Sequence, residues 1–78
     1  MKERQITVYS QPFCGPCAAL ANYLTGNVVE FVSKDIMSDE EAREELYRLG
    51  VRSAPALVVD DEVLIGFDKA KIDALLDL

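Results

Sequence analysis

Short β-branched runs and segments of helical spacing alternate along this chain, and together they predict four strands and three helices. The strands are expected at residues 4–9, 28–32, 56–59 and 63–65, where apolar runs stand between turn-forming residues. Three other segments repeat apolar residues every three or four positions, as one face of a helix does. The predicted order is therefore β-α-β-α-β-β-α.

Each predicted helix has a recognisable start or stop. The first is expected to follow Cys14 and to run to about Thr25, with Gly26 as its stop. Residues 38–41 form a capping-box pattern in which the Ser38 hydroxyl and the Glu41 carboxylate satisfy free backbone donors of the second helix. The third helix is expected to begin at about Asp68. Predicted buried positions on the three helices are Leu20, Leu24, Ala42, Leu46, Leu49, Ile72, Leu75 and Leu76.

The connections predict a single α/β domain over residues 1–78. Strands one and two are joined through a helix and should be parallel, whereas Asp60 and Asp61 supply a hairpin turn between the last two. These pairings give one mixed four-stranded sheet with helices on both faces. Seventy-eight residues suit one domain, and half of them are hydrophobic, which is enough for a core without metal.

Composition and charge limit the classes of binding partner and the cellular compartment that we expect. A net charge of −6 argues against nucleic acid and anionic membranes as partners. No apolar run approaches the ~20 residues that a membrane-spanning helix needs. The charged start, residues 1–5, leads straight into a strand, so no signal peptide is expected. We therefore expect a monomer in the reducing cytoplasm, where a cysteine pair is more often catalytic or metal-binding than structural.

The candidate chemistry lies in Cys14-Gly15-Pro16-Cys17, between the first strand and the first helix. Free N–H groups and the positive end of the helix dipole stabilise a thiolate on Cys14, and such placement lowers a thiol pKa from roughly 8.5 toward ~7. Cys17 lies one turn further on, close enough to attack a mixed disulfide formed on Cys14. Pro16 suits the first helical turn, because its missing N–H has no helical partner there.

Other roles for two cysteines fit less well. A zinc site normally needs four ligands, and the chain has two cysteines and no histidine. A purely structural disulfide across so short a loop removes little entropy from the unfolded chain. Two inert buried thiols would not require Gly-Pro between them. The redox interpretation is favoured, and neither a metal nor a cofactor is expected.

With these features in place, the sequence resembles the thioredoxin superfamily, and in size and layout its glutaredoxin branch. The resemblance covers almost the whole chain and rests on the Cys-x-x-Cys motif, on Ser53-Ala54-Pro55 before the third strand, and on Gly66-Phe67 before the last helix. It implies that Pro55 is cis and faces the active-site disulfide. It also implies that the backbone of Ala54 lies alongside a substrate peptide.

Within this branch the chain looks most like the NrdH-type redoxins, small glutaredoxin-like proteins that accept electrons from thioredoxin reductase and reduce ribonucleotide reductase. Gln11 stands near the position where glutathione-binding relatives usually carry a basic residue, and Phe67 replaces the second glycine of their Gly-Gly. Two positions differ from true thioredoxins. Val8 stands in place of a buried acid, and Phe13 in place of a tryptophan.

The resemblance implies a dithiol–disulfide oxidoreductase that reduces protein disulfides and is recycled by thioredoxin reductase or a similar reductase. Cys14 would attack and Cys17 would resolve. The residues expected to form the substrate groove are Pro12, Phe13, Gly15, Pro16, Ser53, Ala54, Pro55, Gly66 and Phe67. Two alternatives stay open: a glutathione-dependent glutaredoxin, in which Arg52 could hold a carboxylate, and a dimer that shares an iron–sulfur cluster through Cys14.

Overall fold

The computed structural model describes residues 5–78, and the order of its elements is the predicted one. The predicted start of the first strand at Arg4, and the first four residues of the charged segment 1–5, lie outside that part of the chain. The elements are β1 Ile6–Ser10, α1 Gly15–Gly26, β2 Val32–Asp35, α2 Glu40–Arg48, β3 Ala56–Val59, β4 Glu62–Ile65 and α3 Lys69–Leu76.

The four strands form one mixed sheet in the order β2-β1-β3-β4. The β1–β2 pair is parallel, whereas β1–β3 and β3–β4 are antiparallel. A parallel pair needs a crossover connection, and α1 supplies it between β1 and β2. The fold class predicted from the sequence, an α/β arrangement with a four-stranded mixed sheet, is confirmed.

Two apolar clusters lie on opposite faces of the sheet, because alternate residues of β1 point in opposite directions. Val8 belongs to the cluster that packs under α1 and α3, and Tyr9 to the cluster under α2. The first cluster contains Val8, Leu20, Leu24, Leu57, Val59, Ile72 and Leu76; the second contains Tyr9, Ile36, Ala42, Leu46, Val51 and Ala56. Helices therefore cover both faces, as predicted.

The second strand lies further along the chain than its apolar pattern predicted. Residues 28–32 were expected to form it, but β2 spans Val32–Asp35. The N–H groups of Val28 and Val29 donate to the carbonyls of Thr25 and Leu24, so this segment completes the end of α1. Val28 is 89% exposed, and Val29 and Phe31 pack against the first cluster from a loop. The strand itself is mostly polar because it lies at the edge of the sheet.

The second helix also begins and ends differently from the prediction. Asp39, not Ser38, is its N-cap, and the Asp39 carboxylate accepts the N–H of Ala42 at 3.1 Å. Leu49, predicted as buried, follows the last helical residue and is 47% exposed. Val51 fills the second cluster in its place. In α3, Leu75 is only partly buried, whereas Ile72 and Leu76 belong to the core.

Candidate functional site

The two cysteines sit at the junction between β1 and α1. Cys14 is the N-cap of the helix, Pro16 lies in its first turn, and Cys14 and Cys17 form a disulfide with their Cα atoms 5.2 Å apart. The backbone N–H of Cys17 donates to the Sγ of Cys14 at 3.2 Å. An N–H aimed at a sulfur stabilises negative charge on that sulfur, as does the N-terminal end of the helix dipole. The helix therefore favours a thiolate on Cys14 when the pair is reduced.

The cysteines differ in exposure. Cys17 is buried, with 4% of its surface exposed, whereas Cys14 is partly exposed at the helix terminus. A substrate disulfide can therefore reach Cys14 more easily than Cys17. This difference agrees with the predicted roles, in which Cys14 attacks and Cys17 resolves.

A cavity of about 480 Å³ opens beside the disulfide, between α1 and the β1–β2 side of the sheet. None of the side chains that line it is charged. Its lining residues are Val8, Ser10, Gln11, Phe13, Cys14, Gly15, Cys17, Ala18, Ala21 and Ser33. Phe13 has a φ of 56° and a wholly exposed side chain, and it lies next to Cys14 at the edge of this cavity. The immediate surroundings of the disulfide are thus apolar or neutral.

Two predicted groove segments are joined to each other by a backbone hydrogen bond. The Ala54–Pro55 bond is cis, as the resemblance implied, and Pro55 is buried at the start of β3. Its carbonyl accepts the N–H of Gly66 at 2.9 Å, which joins the Ser53-Ala54-Pro55 turn to the Gly66-Phe67 turn. Gly66 has a φ of 82°, a conformation that side chains other than glycine adopt only with strain.

Phe67 packs against the C-terminal half of α1. Its ring meets the Tyr23 ring edge-on at 5.9 Å, and the Tyr23 hydroxyl donates to the carboxylate of Asp73 on α3. Lys69 completes the cluster through an ion pair with Asp73 at 3.2 Å. The hydrogen bond from Tyr23 is the largest cause of a lowered pKa at Asp73, and the carboxylate in turn raises the pKa of Tyr23.

The structure therefore brings only part of the predicted groove to the cavity beside the cysteines. Phe13 and Gly15 line that cavity with Cys14 and Cys17. Pro12 and Pro16 are exposed next to them, whereas residues 53–55 and 66–67 do not line it. A substrate groove that joins both segments stays a prediction.

The site residues predicted from the sequence do not include Ser10, Ala18, Ala21 and Ser33, which also line the cavity. Ser33 was hidden by the misplaced second strand. The pairing of Val8 with Ser33 in the β1–β2 register places Ser33 on the face that carries the cysteine helix, and only a correct register reveals this.

Among residues 5–78 no cluster of three or more histidine, cysteine or acidic side chains could hold a metal ion. Within the same range, no helix has the length and apolar character needed to cross a membrane.

Comparison with known proteins agrees with this geometry. The family model of glutaredoxin matches residues 6–64. A glutaredoxin-like 8.6 kDa protein in the rubredoxin operon of Clostridium pasteurianum is 34% identical over 73 residues, a match that covers 92% of this chain and 97% of that protein.

Solved structures give the same result. The crystal structure of a thioredoxin-like protein superposes with a TM-score of 0.86 at 38% identity, covering 91% of this chain and 99% of that one. The glutaredoxin-like protein NrdH-redoxin from Escherichia coli superposes with a TM-score of 0.82 at 27% identity, covering 91% and 93%. The chain therefore belongs to the glutaredoxin family, as a thioredoxin-fold redox protein with a Cys-x-x-Cys pair.

Proposed function

We propose that this protein is a thiol–disulfide oxidoreductase that reduces disulfides of other proteins and is itself reduced by a thioredoxin reductase or a similar enzyme. The observation that carries this proposal is the asymmetry of the cysteine pair. Cys14 is partly exposed at a helix N-terminus, and its sulfur accepts a hydrogen bond from the Cys17 N–H at 3.2 Å, whereas Cys17 itself is buried within the first turn.

The reaction takes place in two exchanges. The Cys14 thiolate attacks one sulfur of the substrate disulfide, so a Cys14–substrate disulfide forms and the other substrate sulfur leaves as a thiolate. Cys17 then loses its proton and attacks the Cys14 sulfur, which forms the Cys14–Cys17 disulfide and releases the second substrate sulfur. The substrate gains two electrons, and the cysteine pair loses two.

A protein disulfide fits the surroundings of Cys14 better than glutathione does. Glutathione carries two carboxylates and an ammonium group, and binding it calls for charged partners. The cavity beside the disulfide offers no charged side chain, and Gln11 supplies only an amide. The exposed Phe13 ring instead offers an apolar contact to a polypeptide segment. The solved NrdH-redoxin, a glutaredoxin-like protein described as having a thioredoxin-like activity profile, supports this choice.

A coupled assay that follows NADPH oxidation tests the proposal. Insulin disulfides serve as substrate, with either thioredoxin reductase or glutathione plus glutathione reductase as the electron source. We expect turnover with thioredoxin reductase that exceeds the glutathione-supported rate at least tenfold. The Cys14→Ser variant is the control and should be inactive in both arms. Efficient turnover with millimolar glutathione alone would overturn the choice of reductant.

The alternative function, a glutathione-dependent glutaredoxin, can be tested separately with a variant of Arg52. Its guanidinium lies over the Tyr47 ring at 5.2 Å, next to the Ser53-Ala54-Pro55 turn. If glutathione is bound through a carboxylate at this position, Arg52→Gln lowers the glutathione-supported rate. If the substrate is recognised as proposed, the variant leaves the low rate with glutathione unchanged.

A further inference from the structure

The resolving cysteine has to lose a proton beside a cavity whose described lining contains no basic side chain. Cys17 is buried, and one of the surfaces around it is the wall of the cavity beside the disulfide. The chain has no histidine, and no acidic or basic side chain lines this cavity. Two of the charged side chains on nearby elements have partners of their own, because Lys34 binds Glu45 and Asp73 accepts the Tyr23 hydroxyl. Among the residues that line the cavity none can take the proton, so solvent in the cavity is the candidate acceptor.

The cavity is large enough for that solvent. A water molecule occupies roughly 30 Å³ in the liquid and needs polar partners to stay in place. A cavity of about 480 Å³ accommodates several such molecules. Ser10, Gln11 and Ser33 are polar residues of its wall, which also includes the apolar side chains of Val8, Ala18 and Ala21.

Ser33 lines the cavity from the face of the sheet that α1 covers, and its hydroxyl has no hydrogen-bond partner among residues 5–78. It pairs with Val8 in the β1–β2 register, and Val8 packs under α1, so Ser33 lies on the same face as the helix that carries Cys17. The Ser10 hydroxyl already donates to the Lys34 carbonyl at 3.5 Å.

We propose that Ser33 is a positioning residue that holds water in the cavity beside Cys17, and that this water takes the Cys17 proton during the resolving step. The proposal rests on the proposed function and deepens it. In the step, the Cys17 thiol gives its proton to water, and its sulfur bonds to the Cys14 sulfur. The Cys14–substrate bond breaks, and the substrate sulfur leaves as a thiolate with the electron pair of that bond.

A single-turnover reaction of the reduced protein with the disulfide reagent dithiobis(nitrobenzoic acid) separates the resolving step by Cys17 from the initial attack by Cys14. Attack by Cys14 releases one coloured thiolate, and attack by Cys17 on the mixed disulfide releases a second. The leaving thiolate is stable without a proton, so the only proton that moves in the second phase comes from Cys17. The Cys17→Ser variant, which should show the first phase alone, identifies the phases.

A matched pair of variants isolates the hydroxyl. Threonine and valine have nearly the same shape and both suit a strand, so Ser33→Thr and Ser33→Val differ essentially in the hydroxyl alone. We expect Ser33→Val to slow the second phase about 3- to 10-fold at pH 7, less than the ~10²-fold that a full general base contributes. We expect Ser33→Thr to keep the parent rate, and the first phase to be unchanged in both.

The pH profile and a second variant complete the test. At high pH, where Cys17 is already ionised, the second phases of Ser33→Val and the parent should converge. Ala21→Leu, which fills the cavity from α1, should slow the second phase in the same way, and Asn22→Leu on the exposed side of the same turn should not. Equal second-phase rates for the valine and threonine variants at pH 7 would overturn the role of Ser33. Absence of both phases in the parent would instead count against the proposed function.

Discussion

At the scale of single residues, the two cysteines are chemically alike and differ in their surroundings. Cys14 caps α1 and is partly exposed, and its sulfur accepts the N–H of Cys17. Cys17 lies within the helix, and 4% of its surface is exposed. The order of reaction that we propose for them therefore rests on their positions in one helical turn.

Removing one cysteine at a time should separate their roles. In Cys17→Ser the attack by Cys14 still proceeds, but nothing resolves the product, so a mixed disulfide with a protein substrate accumulates. Cys14→Ser should trap none. Electrophoresis without reductant, followed by mass measurement of the trapped species, checks both outcomes. In the reduced parent at neutral pH, faster alkylation of Cys17 than of Cys14 by iodoacetamide would contradict the assignment.

At the scale of elements, the start of α2 depends on a single side chain. The Asp39 carboxylate satisfies the N–H of Ala42, a donor that the helix leaves without an internal partner. The hydroxyl of Ser38, one residue earlier, forms no hydrogen bond with any residue from 5 to 78. The helix carries Ala42 and Leu46 into the second apolar cluster, so its start also fixes part of the core.

Asp39→Ala should lower the free energy of unfolding by about 1 kcal/mol, within the ~0.5–2 kcal/mol range for loss of an N-cap. Ser38→Ala is the matched control and should change it by less than about 0.5 kcal/mol. Urea unfolding at pH 7 measures both. A loss for Ser38→Ala as large as that for Asp39→Ala would favour the capping box that the sequence suggested.

The sequence predicts a helix or strand well where the spacing of its apolar residues matches the face that the fold buries. The stripe of Leu20 and Leu24 predicts the inward face of α1, because both recur one turn apart and are fully buried. The second strand was misplaced because an apolar run at residues 28–32 outweighed the polar Ser33-Lys34-Asp35. An apolar run indicates burial, and Val29 and Phe31 are indeed partly buried, but in a loop. The position of the strand depends on its pairing with β1, and a local sequence pattern carries no information about that pairing.

The candidate site divides in the same way. The Cys-Gly-Pro-Cys motif predicts which sulfur atoms react, because its spacing and the following helix are local features. The cavity behind it is formed by residues from β1, α1 and β2, distant in sequence. Its uncharged character and the place of Ser33 follow only from the register between strands.

At the scale of the whole molecule, one polar cluster ties three elements together. The Tyr9 hydroxyl on β1 and the Lys34 ammonium on β2 both donate to the same carboxylate oxygen of Glu45 on α2, at 3.1 and 2.8 Å. The hydrogen bond from Lys34, and then that from Tyr9, lower the pKa of Glu45. The carboxylate raises the pKa of Lys34.

The lowered pKa of Glu45 determines how the stability of the fold changes with pH. The unfolded chain binds a proton at Glu45 more readily than the folded protein does, so the stabilisation is complete above the ordinary carboxyl pKa of ~4.3 and is lost as the pH falls through the lowered value. Glu45→Gln should therefore lower the urea midpoint at pH 7, and the difference from the parent should shrink toward pH 2. Glu44→Gln, at an exposed ion pair of the same helix, is the control. A difference that stays constant across this range would exclude the carboxylate as its cause.

The two outer strands of the sheet have a consequence for the behaviour of the protein at high concentration. Each spans four residues, and both carry charge: Lys34 and Asp35 on β2, and Glu62 on β4. A strand edge templates fibrils when it is long, flat and apolar, and shortness and charge both oppose such growth. The sheet thus offers neighbouring copies little edge on which to add a strand, and prolonged storage at high concentration should not seed amyloid from either side.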